Sequence, residues 1–242
     1  MAALQDAGSF PAGRGRAPIR NIAITLPLLS FGAGAADAFA FLALGGIFTA
    51  NMTGNAVLAA LFNRAGYAQV LTGALCAISV FALALWAGFR MTRTAAKAGR
   101  NETAMLKALA LAAICHAIVA VIWWIRPHSL VEVLDMIMAS AAAMALQTVA
   151  AKRDHVSRGS TTTYLTGTLA DLMQDVAEAR AGWMNTRWIP IIALPLGAAS
   201  STALLLISPW ITPLLPLAVT LLCMMIIVGP SGRSCRGLSQ AS

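Results

Sequence analysis

From Asn21 to Gly229 the chain is a succession of apolar stretches that are long enough, or nearly so, to cross a bilayer, and this pattern leaves little room for a soluble core. One run begins at Asn21, and five more occupy residues 68–89, 108–125, 133–151, 189–208 and 213–229. A hydrocarbon core of about 30 Å takes roughly 20 residues of helix. Only 11% of the residues are charged and 59% are hydrophobic, whereas a soluble domain carries about 25% charged residues. The segments between the runs are loop-sized. The expected organisation is therefore a disordered basic arm over 1–20, one all-α polytopic transmembrane domain over 21–229, and a short tail over 230–242.

The net charge of +8 does not point to nucleic acid, because the basic residues are scattered between apolar segments rather than gathered on one surface with aromatics. They read as topology signals. Arg14, Arg16 and Arg20 before the first run resemble the start of a signal peptide, but that run is long and continues into the Asp37 segment, so it is expected to be the first span. If 45–63 and 160–179 also crossed the membrane, the inside loops would hold only about half of the 17 basic residues. If both segments dip in and return to the same side, every basic residue except Arg64 and Arg126 falls inside. Lysine and arginine gather on the cytoplasmic side of short loops, so the sequence predicts six transmembrane helices plus two re-entrant half-helices, with both termini cytoplasmic.

The two dips share a pattern. Aligning TANMTGNAVLAAL (49–61) with TTYLTGTLADLMQ (162–174) places Thr49 on Thr162, Thr53 on Thr166 and Gly54 on Gly167. Each copy follows one span and precedes two, so a unit over about 21–125 would recur inverted over about 130–229. Inverted repeats with broken helices meeting at the midplane are a transporter and channel architecture. In the first dip, 45–50 is expected to run inward extended and 55–63 to return as a helix capped by Thr53 or Asn55.

The residues that could carry function are polar groups placed in membrane-grade sequence. Asp37 is an intramembrane carboxylate, a cost of roughly 3 kcal/mol on insertion scales. It is either a pore or coupling group or an internal hydrogen-bond partner that fixes the first dip. Its positional counterpart in the second repeat is near Gln147, which is neutral, an asymmetry that suits proton coupling. Asn51, Thr53, Gly54 and Asn55 from one dip and Thr162, Thr163, Tyr164, Thr166, Gly167 and Thr168 from the other would line a shared uncharged site, with Asp171 one helical turn beyond. The alternative is that these groups only cap half-helices and satisfy one another. His116 reads as a packed, hydrogen-bonded histidine, and His128 and His155 do not converge on a metal site. Cys76, Cys115, Cys223 and Cys235 lack metal or redox spacing. Trp123, Trp124, Trp183, Trp188 and Trp210 fall near span ends, as an aromatic belt does. No catalytic residue, metal or cofactor is expected, and the partners expected are the bilayer and a small solute, with a homo-oligomer left open.

The strings GAADAFAFLALGGIFTANMTGN and AMALQTVAAKRDHVSRGSTTTYLTGTLADL, in this order, resemble the YoaK-type bacterial inner-membrane proteins, a domain of unknown function. The resemblance covers roughly residues 22–229. It implies a bacterial inner-membrane location and characteristic positions at Asp37, Gly45, Gly46, Asn51, Thr53, Gly54, Asn55, Gln147, Thr162, Thr163, Tyr164, Thr166, Gly167, Thr168 and Asp171. Many relatives are expected to have a Tyr-Val-Asp-like entry to the first motif, where this chain has Ala35 and Ala36 before Asp37. The resemblance implies no substrate.

Overall fold

The computed structural model describes residues 19–125, 129–153, 165–178 and 188–229. Within them every regular element is helical: α1 (Ile19–Ala43), α2 (Met52–Ala60), α3 (Tyr67–Lys97), α4 (Asn101–Ile125), α5 (Leu130–Arg153), α6 (Leu165–Ala177), α7 (Trp188–Ile207), a 3-10 turn (Pro209–Ile211) and α8 (Leu214–Val228). Residues 1–18 of the expected arm, the tail, the loop histidines His128 and His155, Trp183 and Cys235 lie outside the described residues, whereas Ile19 and Arg20, expected at the end of the arm, already belong to α1. Among the described residues six helical stretches are long and apolar enough to cross a membrane. By contrast α2 has 9 residues and α6 has 13, about 13 Å and 20 Å at 1.5 Å per residue, too short to cross the core as helices. The protein is thus an all-α polytopic membrane protein. Charged ends lengthen α3 and α4 beyond their apolar runs, because Lys and Arg are good helix formers once the chain has left the hydrocarbon.

Contacts fix which helix ends share a side of the bundle. Leu44 before α2, and Arg64 and Gly66 after it, line one cavity with Leu130 at the start of α5. At the same end the indoles of Trp123 and Trp124 in α4 donate to the carbonyls of Pro209 at 3.1 Å and Trp210 at 2.6 Å. At the other end Arg153 closes α5 onto α3, its Nε donating to Thr92 Oγ1 at 3.0 Å and its Nη2 to the Phe89 carbonyl at 2.9 Å. There too Cys223 Sγ of α8 lies 4.0 Å from the Thr25 carbonyl of α1. The first end therefore holds the finish of α1 and the start of α3, so α2 returns to the side it left. The second holds the finish of α5, and α7 runs from it to the first end, so α6 returns as well. Among the described residues every Lys and Arg except Arg64 lies toward the second end.

The order long, short, long, long occurs twice, and most of the packing repeats with it, the exception being that α3 packs on α4 without a comparable α7–α8 contact. Exchanging α1 with α5, α2 with α6, α3 with α7 and α4 with α8 maps the α1–α7 contact onto α5–α3, α1–α8 onto α5–α4, and α2–α3 onto α6–α7. The same exchange leaves α4–α8 and α1–α5 unchanged. The core lies along α1 and α5, where Phe39, Met136, Ile137 and Met144 are fully buried, as is Leu44 just past α1. Leu83, Trp86, Leu206 and Ile207 face outward, as lipid-facing positions should.

The α1–α7 crossing is the tightest in the bundle. A Cβ on Gly34 would overlap the carbonyl of Leu194, and one on Gly197 would overlap the carbonyl of Phe31. Small residues allow this backbone approach where lipid offers no hydrophobic drive for helices to associate. In the matching α3–α5 crossing, Gly88 meets only side chains, Val149 Cγ2 at 2.9 Å and Leu146 Cδ2 at 3.1 Å.

Candidate functional site

The first dip is built around residues 44–51, a non-helical stretch between α1 and α2. Gly45 at φ 91° and Gly46 at φ 80° turn the chain, in a region that side-chain-bearing residues enter rarely. The Gly46 amide donates to the Phe41 carbonyl at 3.0 Å, and the rings of Phe41 and Phe48 stack at 4.8 Å. Beyond the turn the backbone can no longer satisfy itself, and side chains do so instead. Asp37 Oδ1 accepts from the amides of Thr49 and Ala50, each at 2.7 Å, and from the Thr49 hydroxyl at 3.3 Å. Asn55 clasps Phe48 from the other side, its Oδ1 accepting from the Phe48 amide at 2.9 Å and its Nδ2 donating to the Phe48 carbonyl at 2.7 Å. Asn51 caps α2, its Oδ1 accepting from the Gly54 amide at 3.0 Å.

These bonds answer where irregular backbone at membrane depth finds its partners. Of the two roles open to Asp37, they describe the one that fixes the dip. The cap is Asn51 rather than Thr53 or Asn55, so α2 starts at Met52 instead of residue 55 and Asn55 is a buried residue inside it. Thr53 and the Asn51 side chain are exposed at the helix start. Gly54 is needed for close approach rather than for a turn, since a Cβ there would lie 2.9 Å from both Phe48 Cδ2 and Asn51 Nδ2. Gly54→Val is expected to displace the Phe48 ring and weaken the cap, costing about 1–3 kcal/mol. Thermal unfolding of the purified protein in detergent checks this, and an unchanged midpoint would contradict it.

The second dip keeps the register of the first. Thr166 and Gly167 are the second and third residues of α6, as Thr53 and Gly54 are of α2. Thr168 is buried at the position of Asn55, while Gly167 and Asp171 are exposed. Further along α6, Gln174 Nε2 donates to Glu178 at 2.8 Å. Thr162, Thr163 and Tyr164 lie outside the described residues, as does the side chain of Thr166. Among the described residues α2 packs along α3 and α6 along α7, with no extended packing of α2 on α6.

Gln147 belongs to a different place, a buried polar cluster joining α4, α5 and α8. Its Nε2 lies 3.2 Å from His116 Nε2 and donates to Thr220 Oγ1 at 2.8 Å, and the Thr220 hydroxyl donates to the Pro216 carbonyl at 2.8 Å. All three side chains are buried. With the amide so placed, His116 accepts at Nε2, which puts its proton on Nδ1. Thr220 and Phe48 were not legible as site residues, because a helical Thr and a loop Phe carry no signal in sequence. Among the described residues no three His, Cys, Asp or Glu side chains are grouped to hold a metal.

Residues 25–227 match the family described as "Protein of unknown function (DUF1275)". The UPF0700 transmembrane protein YoaK of Bacillus subtilis (strain 168) is 35% identical over 157 residues, a match that covers 63% of this chain and 66%, just under two thirds, of the relative. No solved structure matches. With the match running from α1 through both short helices to α8, the chain belongs to the DUF1275 family, as a YoaK-type membrane protein.

Proposed function

We propose that this protein is a transporter or channel for a small polar or anionic solute, set in the bacterial inner membrane with both chain ends cytoplasmic and its permeation site between the two TG-containing broken helices. The observation that carries the reading is the pair of short helices that return to the side they left, in two halves most of whose packing maps onto each other under exchange. Half-helices of this kind present unpaired N–H groups and partial positive charge at their starts, which suits a neutral polar or anionic solute better than a bare cation. The Asp37 charge is directed at the amides of Thr49 and Ala50, so the groups offered to a solute in the first dip are the exposed Asn51 and Thr53. The proposal includes no chemical step and no cofactor. The bias of basic residues toward one end supports the orientation.

The test is flux into proteoliposomes across a panel of small neutral solutes, amines and anions, with Thr53→Val as the diagnostic variant. Loss of one hydroxyl contact is expected to slow flux by roughly tenfold while leaving thermal stability in place. Flux indistinguishable from empty liposomes across the panel would contradict the proposal. If the two TG turns share one packed region, Gly54→Val and Gly167→Val are also expected to combine less than additively in stability, and full additivity would separate them.

A second reading, a non-transporting scaffold or partner subunit, is favoured by one observation. The half-buried Asp37 and the buried polar side chains Thr49, Asn55, His116, Gln147 and Thr220 all have partners within the protein. A scaffold of this kind would be indifferent to Thr53→Val, whereas a permeation path would not.

A further inference from the structure

We propose that the end of the bundle where α1 finishes carries a binding site for a small amphipathic carboxylate, an anionic head on an apolar tail. A cavity of about 380 Å³ opens there between the entry to the first dip, the start of α3 and the start of α5, within the size range of small-molecule sites. Its apolar wall is made by Ile47, Val70, Leu134 and Ile137, of which Ile47, Val70 and Ile137 are buried. Its polar side is Arg64 and Gln69, both exposed.

Three observations fix the ligand's chemistry. First, among the described residues that line the cavity Arg64 is the only formal charge, and neither it nor Gln69 has a side-chain hydrogen bond or ion pair among the described residues. The acids of the same end, Glu132 and Asp135, lie on α5 but do not line the cavity, whose α5 wall is Leu130, Val133, Leu134 and Ile137. Second, Arg64 reaches over the bare backbone of the dip, its Nη2 lying 3.9 Å from where a Gly46 Cβ would be, while a Cβ on Gly45 would meet nothing within 4 Å. Third, Arg64 is the one basic residue at this end among those described. A planar guanidinium with free donors pairs with a carboxylate in a bidentate fork, and a neighbouring amide N–H₂ can add a third donor. The apolar wall then takes the tail. The site opens where the exposed Arg64, Ala65 and Gly66 meet water, so the carboxylate enters from the aqueous side of that end. Occupancy does not require transport.

The experiment uses the full chain in phosphatidylcholine nanodiscs and measures equilibrium binding of radiolabelled octanoate above that of empty discs, with octanol as the uncharged control. The expected result is saturable binding near one per chain, weakened roughly tenfold by Arg64→Gln and abolished by Val133→Phe, which fills the cavity. Octanol is expected to bind without sensitivity to Arg64. Unchanged thermal midpoints in both variants confirm that the fold is kept. Discs doped with phosphatidylglycerol separate the sources of the same chemistry: undiminished octanoate binding supports a soluble carboxylate, and competitive loss that depends on Arg64 overturns it in favour of a lipid head. Octanoate binding that is non-saturable, or equal in wild type and Arg64→Gln, overturns the site.

Discussion

Alanine at Gly34 or at Gly197 is expected to cost the protein most of its folded yield, the largest effect of any single methyl group in this bundle. At both positions the new Cβ would meet backbone, the carbonyls of Leu194 and Phe31, and a carbonyl cannot swing aside as a side-chain tip can. Helices α1 and α7 would have to separate along their whole contact. Overpacking costs about 1–3 kcal/mol where side chains can adjust, and the upper end or beyond is expected here. Because the two glycines face each other's helix across one crossing, the double variant is expected to be less destabilised than the sum of the singles. Gly88→Ala is the control: its neighbours are side-chain carbons of Val149 and Leu146, so a milder loss is expected. Thermal midpoints and monodisperse yield in detergent check the series. A Gly34→Ala protein as stable as wild type would mean that the α1–α7 approach is not as close as described.

Asp37→Ala is expected to release the first dip. It removes the acceptor of two amides held at 2.7 Å, Thr49 and Ala50, in a region where water is not freely available to replace it. An orphaned buried donor costs about 1–3 kcal/mol, so the pair gives an expected loss of roughly 2–6 kcal/mol. Asp37→Asn keeps an acceptor oxygen and loses only the charge assistance, for an expected cost of about 1–2 kcal/mol. Hydrogen exchange at the Thr49 and Ala50 amides reads the effect directly. Fast exchange in Asp37→Ala with protection retained elsewhere is expected, and unchanged protection would show that Asp37 does not hold the loop.

Much of this fold was legible in sequence, because apolar length and the side preference of Lys and Arg act over whole segments. The spans, the two short returning helices and the shared Thr-Gly register all follow from signals of that kind. Details that depend on one atom meeting another were not legible. The sequence pointed to Thr53 or Asn55 as the cap, but the Phe48 backbone occupies Asn55 and Asn51 takes the helix start. Gln147 sits in α5 at a depth like that of Asp37 in α1, yet its rotation about the helix axis turns it toward His116 and Thr220, and sequence position alone does not give that rotation. Gly197 carries no local signal, since a helical glycine needs a partner helix to reveal its purpose. The tryptophans at the end of α4 were legible as belt residues, but their indoles also tie α4 to the Pro209–Ile211 turn.

The central claim is that both short helices turn back, so that the bundle crosses the membrane six times. The most direct measurement is the sidedness of single cysteines in a background with Cys76, Cys115, Cys223 and Cys235 replaced, using an impermeant maleimide on intact cells. Cysteines at Asn63, Ser129 and Ser208 are expected to label from outside, and one at Ala98 only after the cells are opened. Labelling of Ala98 from outside together with protection of Asn63 would contradict the account, through an inverted orientation or a crossing α2, and Asn63 and Ser208 on opposite sides would mean that α6 crosses.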